Sequence, residues 1–170
     1  MTSFLIGLQA TAFAGDVSVR DTQRRDITLA DPSRTIAIGG AVTEVLADLG
    51  LAQRIAAVDS TSTYPPDVVK NKPNVGYLRQ LSAEGVIGLN PTLVLAMDSA
   101  GPKQAVEAIQ AAGIPLVLIP EHFSEDGVLE KIRLIGHAMA ADKEILLAAQ
   151  RRARLLPRVP LLSVLEEPPA

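Results

Sequence analysis

The apolar positions of this chain fall into short β-branched runs that alternate with stretches at helical spacing. Residues 35–38, Thr-Ile-Ala-Ile, form a run of the first kind. Gly39-Gly40 follows, then Val42, Val45, Leu46 and Leu49 at helical spacing, with Gly50 as the helix stop. The pattern predicts a strand, a glycine turn and a helix. Residues 54–58 repeat the strand signal, and 59–66 form a polar loop closed by Pro65 and Pro66. Ser82 is placed to cap a short helix over 82–89, which Pro91 ends before a strand at 92–96. Residues 102–112 carry Ala105, Val106, Ala108, Ile109 and Ala112 on one helical stripe, Gly113 stops it, and 114–119 is the next strand.

Strands separated by helices imply an α/β fold with a parallel sheet covered on both faces. Binding groups in such sheets gather in the loops at the carboxyl ends of the strands, here the loops beginning at Gly39, Asp59, Met97 and Pro120. Before the sheet, residues 15–34 read as a polar, extended lead-in. After it, Val128, Ile132, Ile135, Met139, Ile145 and Leu146 predict one long helix over 124–156. Residues 157–170 begin like a further strand and then run into acidic residues and prolines. The domain reading is therefore an α/β lobe over 35–123, the long helix, and a short tail.

Length and composition narrow the function. With 170 residues, 48% of them hydrophobic, the chain has enough apolar material for one compact core. The net charge of −3 supplies no basic surface for a nucleic-acid backbone, so nucleic acid is not an expected partner. The absence of cysteine removes disulfides, thiolate zinc sites and thiol catalysis. Residues 1–14 form a short apolar run ending in Ala12-Phe13-Ala14, the small-x-small pattern of a secretion signal, so export is expected; a buried first strand is the competing reading. No catalytic constellation is legible. The histidines are His122 and His137, no Gly-x-Ser-x-Gly elbow occurs, and Gly39-Gly40 lacks the spacing and lysine of a phosphate loop. The chain reads as a non-enzyme.

Outside the leader the aromatic residues are Tyr64, Tyr77 and Phe123. Tyr77 stands out because Arg79 follows it two residues on, in a stretch preceded by Gly76. In extended backbone both side chains point the same way. A fixed positive charge beside a phenol favours the phenolate, which binds ferric iron, and tyrosinate is a known axial haem ligand. On spacing alone, Tyr77 packed on the core with Arg79 on a solvated face is the favoured reading.

The runs 38–50 (Ile-Gly-Gly-Ala-Val-Thr-Glu-Val-Leu-Ala-Asp-Leu-Gly), 58–66, 75–85 (Val-Gly-Tyr-Leu-Arg-Gln-Leu-Ser-Ala-Glu-Gly), 89–96 and 125–133 together resemble the haemin-binding proteins of bacterial ABC importers. Gly-Gly-x-x-Thr-Glu and Asn-Pro-Thr-Leu-Val are shared with the wider group that binds vitamin B12, siderophores or metals. The 76–85 motif is the feature that points to the haemin branch. The resemblance covers about residues 34–156 and implies the amino-terminal lobe of a two-lobed protein, a rigid linker helix, and haem (ferric haemin) held between the lobes in the periplasm for delivery to an inner-membrane permease. It implies Tyr77 as the axial iron ligand, Arg79 as its supporting arginine, and Glu84 as a carboxylate that docks on the permease, with a solvated helix-end glutamate as the plainer reading of Glu84. Residues 157–170 would be the truncated start of the second lobe, and a lone lobe would leave one haem face to water. His122 is placed to line the cleft or to be a polar loop residue, and His137 to lie on the long helix.

Other readings stay open at this point. A related importer component could take a siderophore, cobalamin or a metal ion. A doubly wound enzyme could use Gly39-Gly40 at a helix start for an anionic cofactor. A truncated lobe could fold and bind nothing.

Overall fold

The computed structural model describes residues 16–145 and 147–148. Its centre is a four-stranded sheet built from β3 (Thr35–Ile38), β4 (Ile55–Val58), β7 (Leu93–Met97) and β8 (Leu116–Ile119), in the spatial order β4-β3-β7-β8. Every neighbouring pair is parallel. The strand residues are buried on both faces, which is why they read as unbroken apolar runs. Side chains alternate between two cores. One face, with Ala37, Leu95, Met97, Val117 and Ile119, packs on Val42 and Leu46 of α1 (Gly40–Asp48) and on Ile135 of α5 (Glu125–Ala138). The other, with Ile36, Ile38, Val94, Ala96 and Leu118, packs on Val86 of α3 (Ala83–Gly88) and on Val106 and Ile109 of α4 (Lys103–Ala111). The α/β class expected from the alternation is therefore the fold observed.

The local signals that define these elements hold. Gly39 enters α1 at φ 111°, a conformation that favours glycine, and a side chain there would run into Met97. Ser82 caps α3, its hydroxyl accepting from the Gly85 amide at 3.0 Å. Gly50 ends α1 at φ 75°, with its own amide bonded to Ala47 and that of Leu51 to Leu46. A single turn, α2 (Pro66–Val69), follows the polar loop and carries no apolar stripe by which to read it.

Two elements differ from the sequence reading. The lead-in at 15–34 contains an antiparallel hairpin, β1 (Val17–Arg20) with β2 (Asp26–Leu29). Its turn is organised by the buried Asp21 carboxylate, whose Oδ1 accepts from the amides of Gln23 at 2.9 Å and Arg25 at 3.0 Å. Val19 and Leu29 bury into the first core and dock the hairpin on the lobe. The long helix expected over 124–156 is interrupted. After Ala138, Ala140 adopts φ 50°, its amide bonds to His137 and that of Ala141 bonds to Gly136; this pair of bonds is a complete helix stop. Helix resumes at residues 142–145. Residues 149–156, the leader at 1–14 and the tail at 157–170 lie outside the described residues.

Candidate functional site

All four central strands point their carboxyl ends to one edge, and the loops expected to carry binding groups leave from it at Gly39, Asp59 and Pro120 as expected and at Asp98 in place of Met97, which is the last residue of β7. A second small hairpin, β5 (Gly76–Tyr77) with β6 (Gln80–Leu81), lies on this edge. Residues leading into it run beside β4, where the Val75 amide donates to the Val58 carbonyl at 2.9 Å. The hairpin is then held from two sides. Gly76 accepts from Ser60 of the loop after β4 at 2.8 Å, while Leu78 accepts from Gly101 at 2.9 Å and Leu81 donates to Gly101 at 2.8 Å, in the loop after β7. Buried Leu81 and Val75 anchor it in the second core.

This support leaves Tyr77 at the rim with 44% of its surface exposed, and among the described residues its hydroxyl makes no hydrogen bond. The core-packing alternative for Tyr77 does not hold. Arg79 is exposed in the same hairpin, but not in extended backbone: Leu78 and Arg79 form the turn between β5 and β6. The same-side argument from spacing therefore fails, and no hydrogen bond joins the Tyr77 hydroxyl to the Arg79 guanidinium among the described residues. The two share a hairpin and an edge, not a contact. Glu84 is exposed in the first turn of α3, just beyond the hairpin, where a carboxylate also complements the helix amino end.

Two other aromatic side chains reach this edge. Tyr64, in the loop after β4, is 60% exposed, and Phe123, in the loop after β8, is 95% exposed. His122 lies beside Phe123 with its Nδ1 3.1 Å from Glu130 Oε2, and both partners are mostly exposed. His137 is on α5, 3.5 Å from Asp142, away from the edge.

Asp59 is a residue the sequence reading passed over. It is fully buried at the end of β4. Its Oδ1 accepts from the Gly39 amide and the Ser62 hydroxyl, each at 2.9 Å; its Oδ2 accepts from the Thr61 amide at 3.0 Å and the Thr61 hydroxyl at 2.7 Å. The Thr61 hydroxyl in turn accepts from Gly40, and Ser62 meets Thr43 at 2.8 Å. Four hydrogen bonds satisfy a buried carboxylate, and they lock the turn after β3 to the loop that grips the Tyr77 hairpin. The available signal was an aspartate followed by Ser-Thr-Ser-Thr at a strand end, a run rich in side chains that bond to local backbone.

Comparison with known proteins bears on what this edge holds. The family model described as periplasmic binding protein matches residues 36–150. The uncharacterized ABC transporter substrate-binding lipoprotein YvrC of Bacillus subtilis is 30% identical over 75% of this chain and 41% of its own length. The vitamin B12-binding protein of Vibrio campbellii is 30% identical over 58% of this chain and 34% of its own. Among solved structures, the apo form of the periplasmic haem-binding protein RhuT from Roseiflexus sp. RS-1 is 40% identical, with a TM-score of 0.67, over 74% of this chain and 48% of that one. The periplasmic haem-binding protein BhuT in complex with two haems is 38% identical, with a TM-score of 0.67, over 71% and 46%. This chain thus spans about half or less of the length of the relatives it matches.

Proposed function

The chain belongs to the periplasmic binding protein family, and from that premise we propose that it binds ferric haem outside the cytoplasmic membrane for delivery to an ABC importer. The observation that carries this reading is the docked hairpin, which holds a half-exposed phenol with no competing hydrogen bond among the described residues, at the edge where parallel sheets bind ligands. A phenolate is a hard anionic donor suited to ferric iron, and tyrosine occurs as an axial haem ligand. In this reading Tyr77 is that ligand. Arg79, in the turn of the same hairpin, is the supporting arginine of this reading, a permanent positive charge on the same edge of the sheet. Tyr64 and Phe123 offer aromatic surface to the porphyrin from neighbouring loops. Glu84, exposed beyond the hairpin, is the carboxylate that meets the permease. The 40% and 38% identities to the two haem-binding structures support haem over the other ligands of the family.

Cobalamin is the second reading, favoured by the 30% identity to a vitamin B12-binding protein. Titrating the chain separately with haemin and with cobalamin, and following the absorption of each, distinguishes the two. The haem reading expects a saturable change in the haemin spectrum and none in that of cobalamin. The reverse result would establish the cobalamin reading.

A further inference from the structure

The start of the loop after β4 is shaped from inside. Residues 59–62 form a turn in which the Ser62 amide donates to the Asp59 carbonyl at 3.2 Å. The Asp59 carboxylate folds back over the same four residues and accepts from the Thr61 amide, the Thr61 hydroxyl and the Ser62 hydroxyl. Its fourth bond, from the Gly39 amide, fastens the turn to the corner before α1. The Ser62 hydroxyl has one proton and gives it to Asp59, so Thr43 of α1 is the donor in their 2.8 Å contact and holds the turn from a second point. The Thr61 hydroxyl also works both ways, donating to Asp59 while accepting from the Gly40 amide at 3.2 Å. Ser60 is the residue of this turn whose side chain takes no part in the network, and its amide donates to the Gly76 carbonyl, next to Tyr77, at 2.8 Å. An amide points where its planar peptide unit points. The unit joining Asp59 to Ser60 is held on both sides, by the Asp59 amide on the Ala37 carbonyl at 3.3 Å and by the Thr61 amide on the carboxylate at 3.0 Å. The far side of the hairpin is fastened to Gly101 through Leu78 and Leu81, by bonds that do not pass through Asp59.

We propose that Asp59 and Thr61 are positioning residues for Tyr77, setting through the Ser60 amide where the hairpin holds the phenol at the ligand edge. This rests on the haem reading for what Tyr77 meets, and on the hydrogen bonds alone for how the hairpin is set. Asp59 and Thr61 act from behind the hairpin, without meeting the ligand. A purely structural role would loosen the whole lobe when the network is cut, whereas a positioning role loosens one of the two attachments of the hairpin and leaves the other in place.

The test uses the full 170-residue chain and three variants. Thr61→Val keeps the β-branched shape and removes the hydroxyl, Thr61→Ser keeps the hydroxyl, and Asp59→Asn turns an amide donor toward one pair of the groups that now donate to the carboxylate. Hydrogen exchange in the ligand-free chain is read at the Ser60 amide, bonded to Gly76, and at the Leu81 amide, bonded to Gly101. In Thr61→Val and Asp59→Asn the Ser60 amide should exchange about tenfold faster or more, the equivalent of one ordinary hydrogen bond, while Leu81 stays within about twofold of the parent. The same two variants should bind haemin about tenfold more weakly, and Thr61→Ser should match the parent in both measurements. Ser60 and Leu81 quickening together would make Asp59 and Thr61 general stabilisers and overturn the positioning role. Unchanged exchange at Ser60, or selective quickening there with haemin affinity unchanged, would overturn it as well. A parent chain that binds no haemin would sink the haem reading alone, and the setting of the hairpin would then stand or fall on the exchange at Ser60 and Leu81.

Discussion

The Asp59 carboxylate receives the Gly39 amide at 2.9 Å, and this bond ties the turn after the second strand of the sheet to the loop after its edge strand. Through Ser60, whose amide donates to Gly76, the same loop grips the hairpin of Tyr77. Replacing Asp59 by alanine would leave the buried Gly39 amide and the partly buried Thr61 amide without their acceptor. Each orphaned buried donor costs about 1–3 kcal/mol, so Asp59→Ala should destabilise the lobe by about 2–4 kcal/mol in urea unfolding. A change within about 0.5 kcal/mol, the range of ordinary surface substitutions, would show that the network adds nothing.

Gly39 tests the turn itself. At φ 111°, and with Met97 in the space of a Cβ, alanine here meets both backbone strain and a clash. Gly39→Ala should lower stability by about 2–4 kcal/mol. Gly40→Ala meets only the Thr61 carbonyl at 3.0 Å and should cost less. Equal effects at the two positions would refute the assignment of the sharp turn to Gly39.

On the first hairpin, Arg20 grips Asp26 through two bonds of 2.9 Å, and this hydrogen bonding holds the Asp26 carboxyl below the usual carboxylate range. A depressed folded-state value means that the pair's contribution is present above the unfolded value, about pH 3.9, and fades as pH falls through the folded one. The pair is fully exposed, so the contribution is small and salt-sensitive. In Arg20→Gln, the Asp26 carboxyl should titrate closer to its ordinary value by NMR. An unchanged midpoint would mean that Arg20 is not the cause.

For Glu84, the proposed permease contact and the ligand site make separate predictions. The side chain is exposed and outside the Tyr77 hairpin, so Glu84→Lys should leave haemin affinity unchanged and slow uptake into cells. The lost complement to the amino end of α3 should cost only about 0.3–1 kcal/mol. Affinity falling in step with uptake would end the docking role.

The central lobe was legible because buried parallel strands need continuous apolar runs and because glycine marks the turns at Gly39 and Gly50. The second helix stop shows where that legibility ends. Ala140 makes the same paired bonds as Gly50, at φ 50°, with an alanine that carries no such mark, so the pattern ran on as one helix. The lead-in hairpin was hidden for a similar reason. Its alternation, Val17 and Val19 against Ile27 and Leu29, is spread across a turn whose organiser, Asp21, acts through side-chain bonds that spacing does not reveal. The motif singled out Tyr77, whereas its exposure at the rim was not readable from spacing. The relation of Tyr77 to Arg79 was misread, because two residues of separation imply one face only in extended backbone, and here the turn falls between them.

Tyr77→Phe tests the haem account most directly, since phenylalanine keeps the ring and removes only the oxygen that would meet the iron. Haemin added to the unmodified chain should give a saturable high-spin ferric spectrum of the tyrosinate type, and Arg79→Ala should give the same spectrum with weaker binding. Tyr77→Phe should lose that spectrum at every pH while its unfolding curve stays close to that of the parent, as the exposed hydroxyl makes no bond among the described residues. If Tyr77→Phe gives the parent haem spectrum at parent affinity, Tyr77 is not the iron ligand and the case for haem at this edge falls with it.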